Sequence, residues 1–121
     1  MMEKRILFNS RDELLRMEVG KIVYFEADGN YTHIVSVNKL KATIAASLAK
    51  TEQVLTAQLG ADAALFMRVG KRFIVNVSYI YSINLARQHL VLSDQKHFAF
   101  QLPVSKDALK RMKELMVKAR V

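Results

Sequence analysis

KIVYFEADGNYTHIVSVNKLKATIAA, running from Lys21 to Ala46, is the stretch from which the rest of the chain can be placed. An apolar run from Ile22 to Phe25 leads to a turn signal at Asp28-Gly29-Asn30, and an alternating segment follows. Asp-Gly and Gly-Asn favour the positive φ of a tight connection, and Val, Ile, Tyr and Thr on either side suit extended backbone. The reading is a β-hairpin. On its second arm Thr32, Ile34 and Ser36 share one face, while Tyr31, His33, Val35 and Val37 share the other. Asn38-Lys39 offers a further turn, which predicts a three-stranded meander ending near Ala45.

Before the meander, Ile6 to Phe8 can form a short edge strand, and Arg11 to Met17 reads as a brief helical or turn segment. After it, Ser47 can cap a helix running to about Gln58, with Leu48, Thr51, Val54, Leu55 and Leu59 on one stripe and Gly60 ending it. A strand through Leu65, Phe66 and Met67 then enters RVGKRFIVNVSYI, Arg68 to Ile80, where three cations surround Gly70 ahead of a β-branched and aromatic run. Such a turn presents long basic side chains from a stiff support. Three more strands follow in YIYSINLA, HLVLSD and KHFAFQLP, separated by breaks short enough for antiparallel neighbours. Pro103 stops the last. Ser105 can cap a final helix in which Ala108, Leu109, Met112, Leu115 and Met116 repeat at helical spacing and Lys106, Lys110, Arg111, Lys113 and Lys118 face outward. The fold class expected is mainly β, in antiparallel sheets, with two short helices.

The 121 residues suit one domain spanning 1–121. Absence of cysteine excludes disulfides and thiolate metal sites, and no apolar run is long enough to cross a bilayer as a helix. Acidic residues among the first sixteen argue against a secretion signal, so a cytoplasmic location is expected. The formal charge of +8 is unevenly placed: residues 61–121 carry eleven cations against four anions, while the first sixty are nearly balanced. A basic bias of this kind suits nucleic acid first and anionic membrane second. The final helix has the stripe and cationic face of a membrane-surface helix but no Trp or Phe to anchor it, so its stripe is expected to cover its own sheet.

Catalytic and metal chemistry find little support. His33, His89 and His97 fall in different strands with no cysteine to join them. Nucleophile elbows, P-loops and dinucleotide fingerprints are absent. Glu26 and Asp28 read as a strand end and a turn residue, and Tyr24, Phe25, Tyr31, Phe73, Tyr79 and Tyr81 as core packing before a base-stacking platform. No enzyme activity, cofactor, metal or small-molecule substrate is expected.

Three pieces together carry a family resemblance: KIVYFEADGNYTHIV, FMRVGKRFIVNVSYIYSI and LPVSKDALKRMK. In that order and spacing they resemble the LytTR-type DNA-binding domains that serve as outputs of bacterial response regulators, over residues 20–118. The resemblance implies an elongated stack of antiparallel sheets, with loops entering the major groove of double-stranded DNA. It places base contacts at Thr32 with neighbours Asn30, Tyr31 and His33, at Lys71 with Arg72, and at Lys106. Lysines there can donate to guanine O6 and N7. Arg68, Lys110, Ser47 and Ser105, the serines standing at predicted helix starts, are the phosphate candidates. Asn76 is expected to satisfy backbone groups.

The function expected is that of a sequence-specific double-stranded DNA-binding transcription regulator, and the alternative is a basic protein-interaction module of the same fold. With no room in 121 residues for a receiver domain, phosphorylation of an aspartate in this chain is not the expected switch. A homodimer on repeated half-sites, a separate sensor and a membrane partner all stay open.

Overall fold

The computed structural model describes residues 4–118. Its ten strands lie in three antiparallel sheets. The central sheet has five strands in the order β5 (Lys41–Ile44), β4 (Tyr31–Ser36), β3 (Ile22–Asp28), β7 (Phe73–Asn76), β6 (Phe66–Val69). A two-stranded sheet pairs β1 (Arg5–Asn9) with β2 (Leu14–Glu18), and a three-stranded sheet runs β10 (Ala99–Pro103), β9 (His89–Ser93), β8 (Ile80–Asn84). Helix α1 (Leu48–Leu59) follows β5, and helix α2 (Lys106–Lys118) closes the described chain.

The central sheet is covered on both faces, which explains why its strands read as continuous apolar runs. Tyr24 lies opposite both Val35 and Val75, and Phe25 opposite both Ile34 and Ile74. The first set joins Phe73, Leu90, Leu92, Leu102, Leu109 and Met112 in a core beneath the three-stranded sheet and α2. The second joins Ile6, Phe8, Leu48 and Leu55 in a core beneath the β1–β2 hairpin and α1. A register shift between Ile22 and Tyr24 lets Val23 and Tyr24 serve the same core although they are adjacent. Edge-to-face pairs, Tyr24 with Phe100 at 5.5 Å and Phe25 with Phe8 at 6.2 Å, tie the sheet to each layer.

Several expectations change in detail. Arg11 to Met17 is neither helix nor simple turn, because Leu14–Glu18 is a strand paired in register with Arg5–Asn9. Leu15 and Met17 turn inward from it, and that alternation is the β signal the short segment carried. Strand β6 begins at Phe66, after a 3-10 segment Gly60–Leu65. Leu115 leaves the apolar stripe of α2 and is exposed, with Leu109 and Met112 facing the core. Gly29 and Gly70, with φ of 59° and 61°, sit at the two turns where a side chain would strain the backbone. Asn76 is fully buried: its Nδ2 donates to the Ile22 carbonyl at 2.8 Å and its Oδ1 accepts from the Ser78 amide and hydroxyl. No helix among the described residues is long and apolar enough to cross a membrane.

Candidate nucleic-acid interface

Strand directions bring the predicted contact segments to one end of the central sheet. β3 finishes at Asp28 and β4 begins at Tyr31, β5 finishes at Ile44 just ahead of Ser47, and β6 finishes at Val69 where β7 begins at Phe73. The turn at Gly29-Asn30 and the loop Gly70–Arg72 therefore emerge side by side, about 10 Å apart at two strand spacings. A backbone hydrogen bond from the Ala27 amide to the Arg72 carbonyl, 2.8 Å long, links them directly. The start of α2 completes the edge. A groove of about 900 Å³ separates the loop from Pro103, Ser105, Ala108 and Arg111, and a Cβ built on Gly70 would lie 3.8 Å from that of Ala108.

The candidates divide by what their side chains already hold. Asn30, Tyr31, Lys71 and Lys106 are exposed, and Tyr31, at the start of β4, shows half its surface. Thr32 does not reach the surface. It is fully buried, its hydroxyl donates to the Ala46 carbonyl at 2.8 Å, and it accepts from Thr51 of α1 at 3.3 Å. In this fold Thr32 holds the β5–α1 connection to β4, so as a base contact it is corrected to an anchor. His33 is held at both nitrogens, Nε2 against Asp28 and Nδ1 against Thr43, each at 2.8 Å.

Two of the three cations around Gly70 are likewise engaged within the protein. Arg72 meets the Glu26 carboxylate at 2.5 Å and lies 5.0 Å from the centre of the Phe73 ring. Arg68 donates from Nε to the Gly70 carbonyl at 3.2 Å, from Nη2 to the Lys71 carbonyl at 3.4 Å, and from Nη1 to Glu52 of α1 at 3.3 Å. Of the three, Lys71 alone has no protein partner among the described residues.

Both helix starts at this edge are capped. Ser47 Oγ accepts from the Lys50 amide at 3.1 Å and Ser105 Oγ from the Ala108 amide at 3.3 Å. Amides of a first turn lack intrahelical acceptors and carry partial positive charge, which suits a phosphate. Lys110 stands exposed one turn into α2. The exposed Lys50 is a further cation here that the sequence pattern does not single out. Glu26 and Glu52 are missed as well, because each meets its arginine only through folding, 46 and 16 positions away.

A LytTR family profile, described as the LytTr DNA-binding domain, matches residues 12–117. The chain belongs to this family. The match reaches further back than the three motifs do and takes in β2 of the LytTR domain. A search of curated proteins finds no match. Among solved structures the LytTR domain here is similar to the "LytTr DNA-binding domain of putative methyl-accepting/DNA response regulator from Bacillus cereus", at 24% identity and a TM-score of 0.65, covering 95% of this chain and 98% of that one. That likeness shows the shared fold, mainly β in antiparallel sheets with two helices. Membership makes this LytTR domain a DNA-binding module of the transcription-regulating, response-regulator output class.

Three histidines remain apart. His33 is at the loop edge of the central sheet, His97 pairs with Asp94 beside Gly20, Lys21 and Tyr79 near the opposite end, and His89 approaches Gln101 on β10. Asp94 is the group most altered by its surroundings. Desolvation pushes its carboxyl up, but the amides of His97, Lys96 and Phe98 and the His97 ring together outweigh that and hold it well below the usual carboxylate range. This is a tight-turn device, distant from the edge just described.

Proposed function

We propose that the chain is a sequence-specific transcription regulator that reads double-stranded DNA in the major groove from the loops at one end of its central sheet. The observation that carries this is the convergence of Asn30 and Tyr31, Lys71, and Lys106 on that edge, from segments separated by up to 76 positions in sequence but drawn together by strand direction. Lys71 and Lys106 have free ammonium groups for guanine O6 and N7, and Asn30 carries an amide suited to adenine. Ser47, Ser105 and Lys110 flank them and address phosphates, which fix the register of the protein on the duplex.

Selection from random duplexes tests the reading. Enrichment of a defined motif, with an affinity that falls steeply as salt rises, is expected. Failure to enrich any motif would sink sequence-specific regulation and leave the basic protein-interaction module as the better account. Whether the bound form is a homodimer on repeated half-sites is read from the spacing of any motif recovered.

A further inference from the structure

We infer that Arg68 is a positioning residue for sequence readout, not a phosphate contact: with Glu52 of α1 it fixes the backbone of Gly70 and Lys71 so that the Lys71 side chain is aimed at the DNA. The inference rests on the major-groove reading above and assigns the residue that makes such reading selective.

Every carbonyl of the loop is held. Gly70 and Lys71 are bound by the Arg68 Nε and Nη2, and Arg72 by the Ala27 amide of the neighbouring hairpin. Nη1 of the same guanidinium is held by Glu52, at 3.3 Å. The planar fork of an arginine is what lets one side chain reach two successive carbonyls and a carboxylate together, and a lysine ammonium is a point charge without that geometry. Gly70, at φ 61°, is the residue of the loop with the widest backbone freedom, so its conformation depends on these external bonds.

The consequence is electrostatic as well as geometric. Arg68 faces α1 from β6, where it lies opposite Ile74 of the α1-side core, and its charge is already matched by Glu52. Arg72 is matched by Glu26 in the same way. The loop therefore presents one uncompensated cation, Lys71, from a fixed backbone. A flexible lysine on a flexible loop would bind phosphates and bases alike, whereas a fixed one distinguishes among base edges.

The test uses the full chain with Arg68→Lys, Arg68→Ala, Glu52→Gln and Lys71→Ala variants. Affinity is measured for the duplex selected by the wild type and for a scrambled duplex, each over a range of salt. Arg68→Lys is expected to lower the ratio of the two affinities about tenfold, the scale of one good base contact, with an unchanged salt slope. Glu52→Gln is expected to lower it too, even though removing an anion favours DNA binding in general. Wild-type discrimination in Arg68→Lys, or in Arg68→Ala an equal loss on both duplexes with a slope shallower by about one, overturns the inference and restores Arg68 as a phosphate contact. A second measurement needs no DNA. Backbone 15N order parameters at Gly70, Lys71 and Arg72 are expected to fall from about 0.85 towards 0.6 in Arg68→Lys and Glu52→Gln, and to stay high in Lys71→Ala. Unchanged values in the first two overturn the inference whether or not the wild type selects a motif, whereas a wild type without a motif counts against the major-groove reading alone.

Discussion

The Ala27 amide donates to the carbonyl of Arg72 at 2.8 Å, and through that one bond the β3–β4 turn and the β6–β7 loop become a single surface. They are separated by forty-odd residues along the chain, yet neither can tilt without the other. Substitutions around this bond are expected to divide sharply into those that change what is read and those that change only how tightly DNA is held.

Lys71→Ala and Lys106→Ala belong to the first group. Each is expected to relax preference at its own base position, with about 1–3 kcal/mol of discrimination lost. Binding to a panel of single-base variants of the selected duplex measures it. Losses of equal size on every duplex, scrambled ones included, would count against base contact.

Lys110→Ala belongs to the second group. Its ammonium is exposed one turn past the α2 start, so its removal is expected to weaken all sequences alike and to make the slope of log affinity against log salt shallower by about 0.9. Titrations at several salt concentrations against selected and scrambled duplexes decide the matter.

Thr32→Val should leave readout alone and act on stability. The valine keeps the volume but strands the Ala46 carbonyl and removes the hydroxyl contact across to α1, where Thr51 keeps its bond to the Ser47 carbonyl. A loss of about 1–3 kcal/mol is expected from denaturant unfolding, with base preference as in the wild type. A change of preference without a change of stability would return Thr32 to the DNA surface.

Asn76→Ala removes the donor to Ile22 and the acceptor for both Ser78 groups in a fully buried site. The expected cost is about 3 kcal/mol or more, because partners left unsatisfied inside the protein are more expensive than the bonds are worth. Equilibrium unfolding of the variant beside Ser78→Ala measures it, and the serine variant is expected to lose less.

Asp94 gives a pH prediction with a definite sign. Its folded carboxyl titrates below the unfolded value of about 3.9, because backbone amides of His97, Lys96 and Phe98 favour the charged form over the opposing desolvation. The unfolded chain then binds the proton first as pH falls. The stabilisation is complete above about pH 4 and is lost on acidification below it. Compared with Asp94→Asn by denaturant unfolding, the wild type is expected to be the more stable at neutral pH and to lose that advantage towards about pH 2. A difference independent of pH would mean that the charge contributes nothing.

Local pattern determined a good deal of this protein. The hairpin about Gly29-Asn30, both serine caps, the breaks ahead of β9 and β10, and the role of Asn76 were legible because each depends on propensity, period or turn chemistry within a few residues. In Arg11 to Met17 the strand is too short for its periodicity to outweigh the helix-forming Leu, Arg and Met. Family motifs supplied the order of the three candidate contact segments. Tertiary structure alone decided which of the basic and polar side chains are free. Thr32 is buried by α1 packing over β4, Arg72 is drawn to Glu26, and Arg68 is drawn to Glu52 and the loop carbonyls. The sequence lists these residues as equals because charge is a property of a residue. Availability is set by where the nearest carboxylate or carbonyl lands, and partners 16 to 46 positions away are fixed only when the sheet closes.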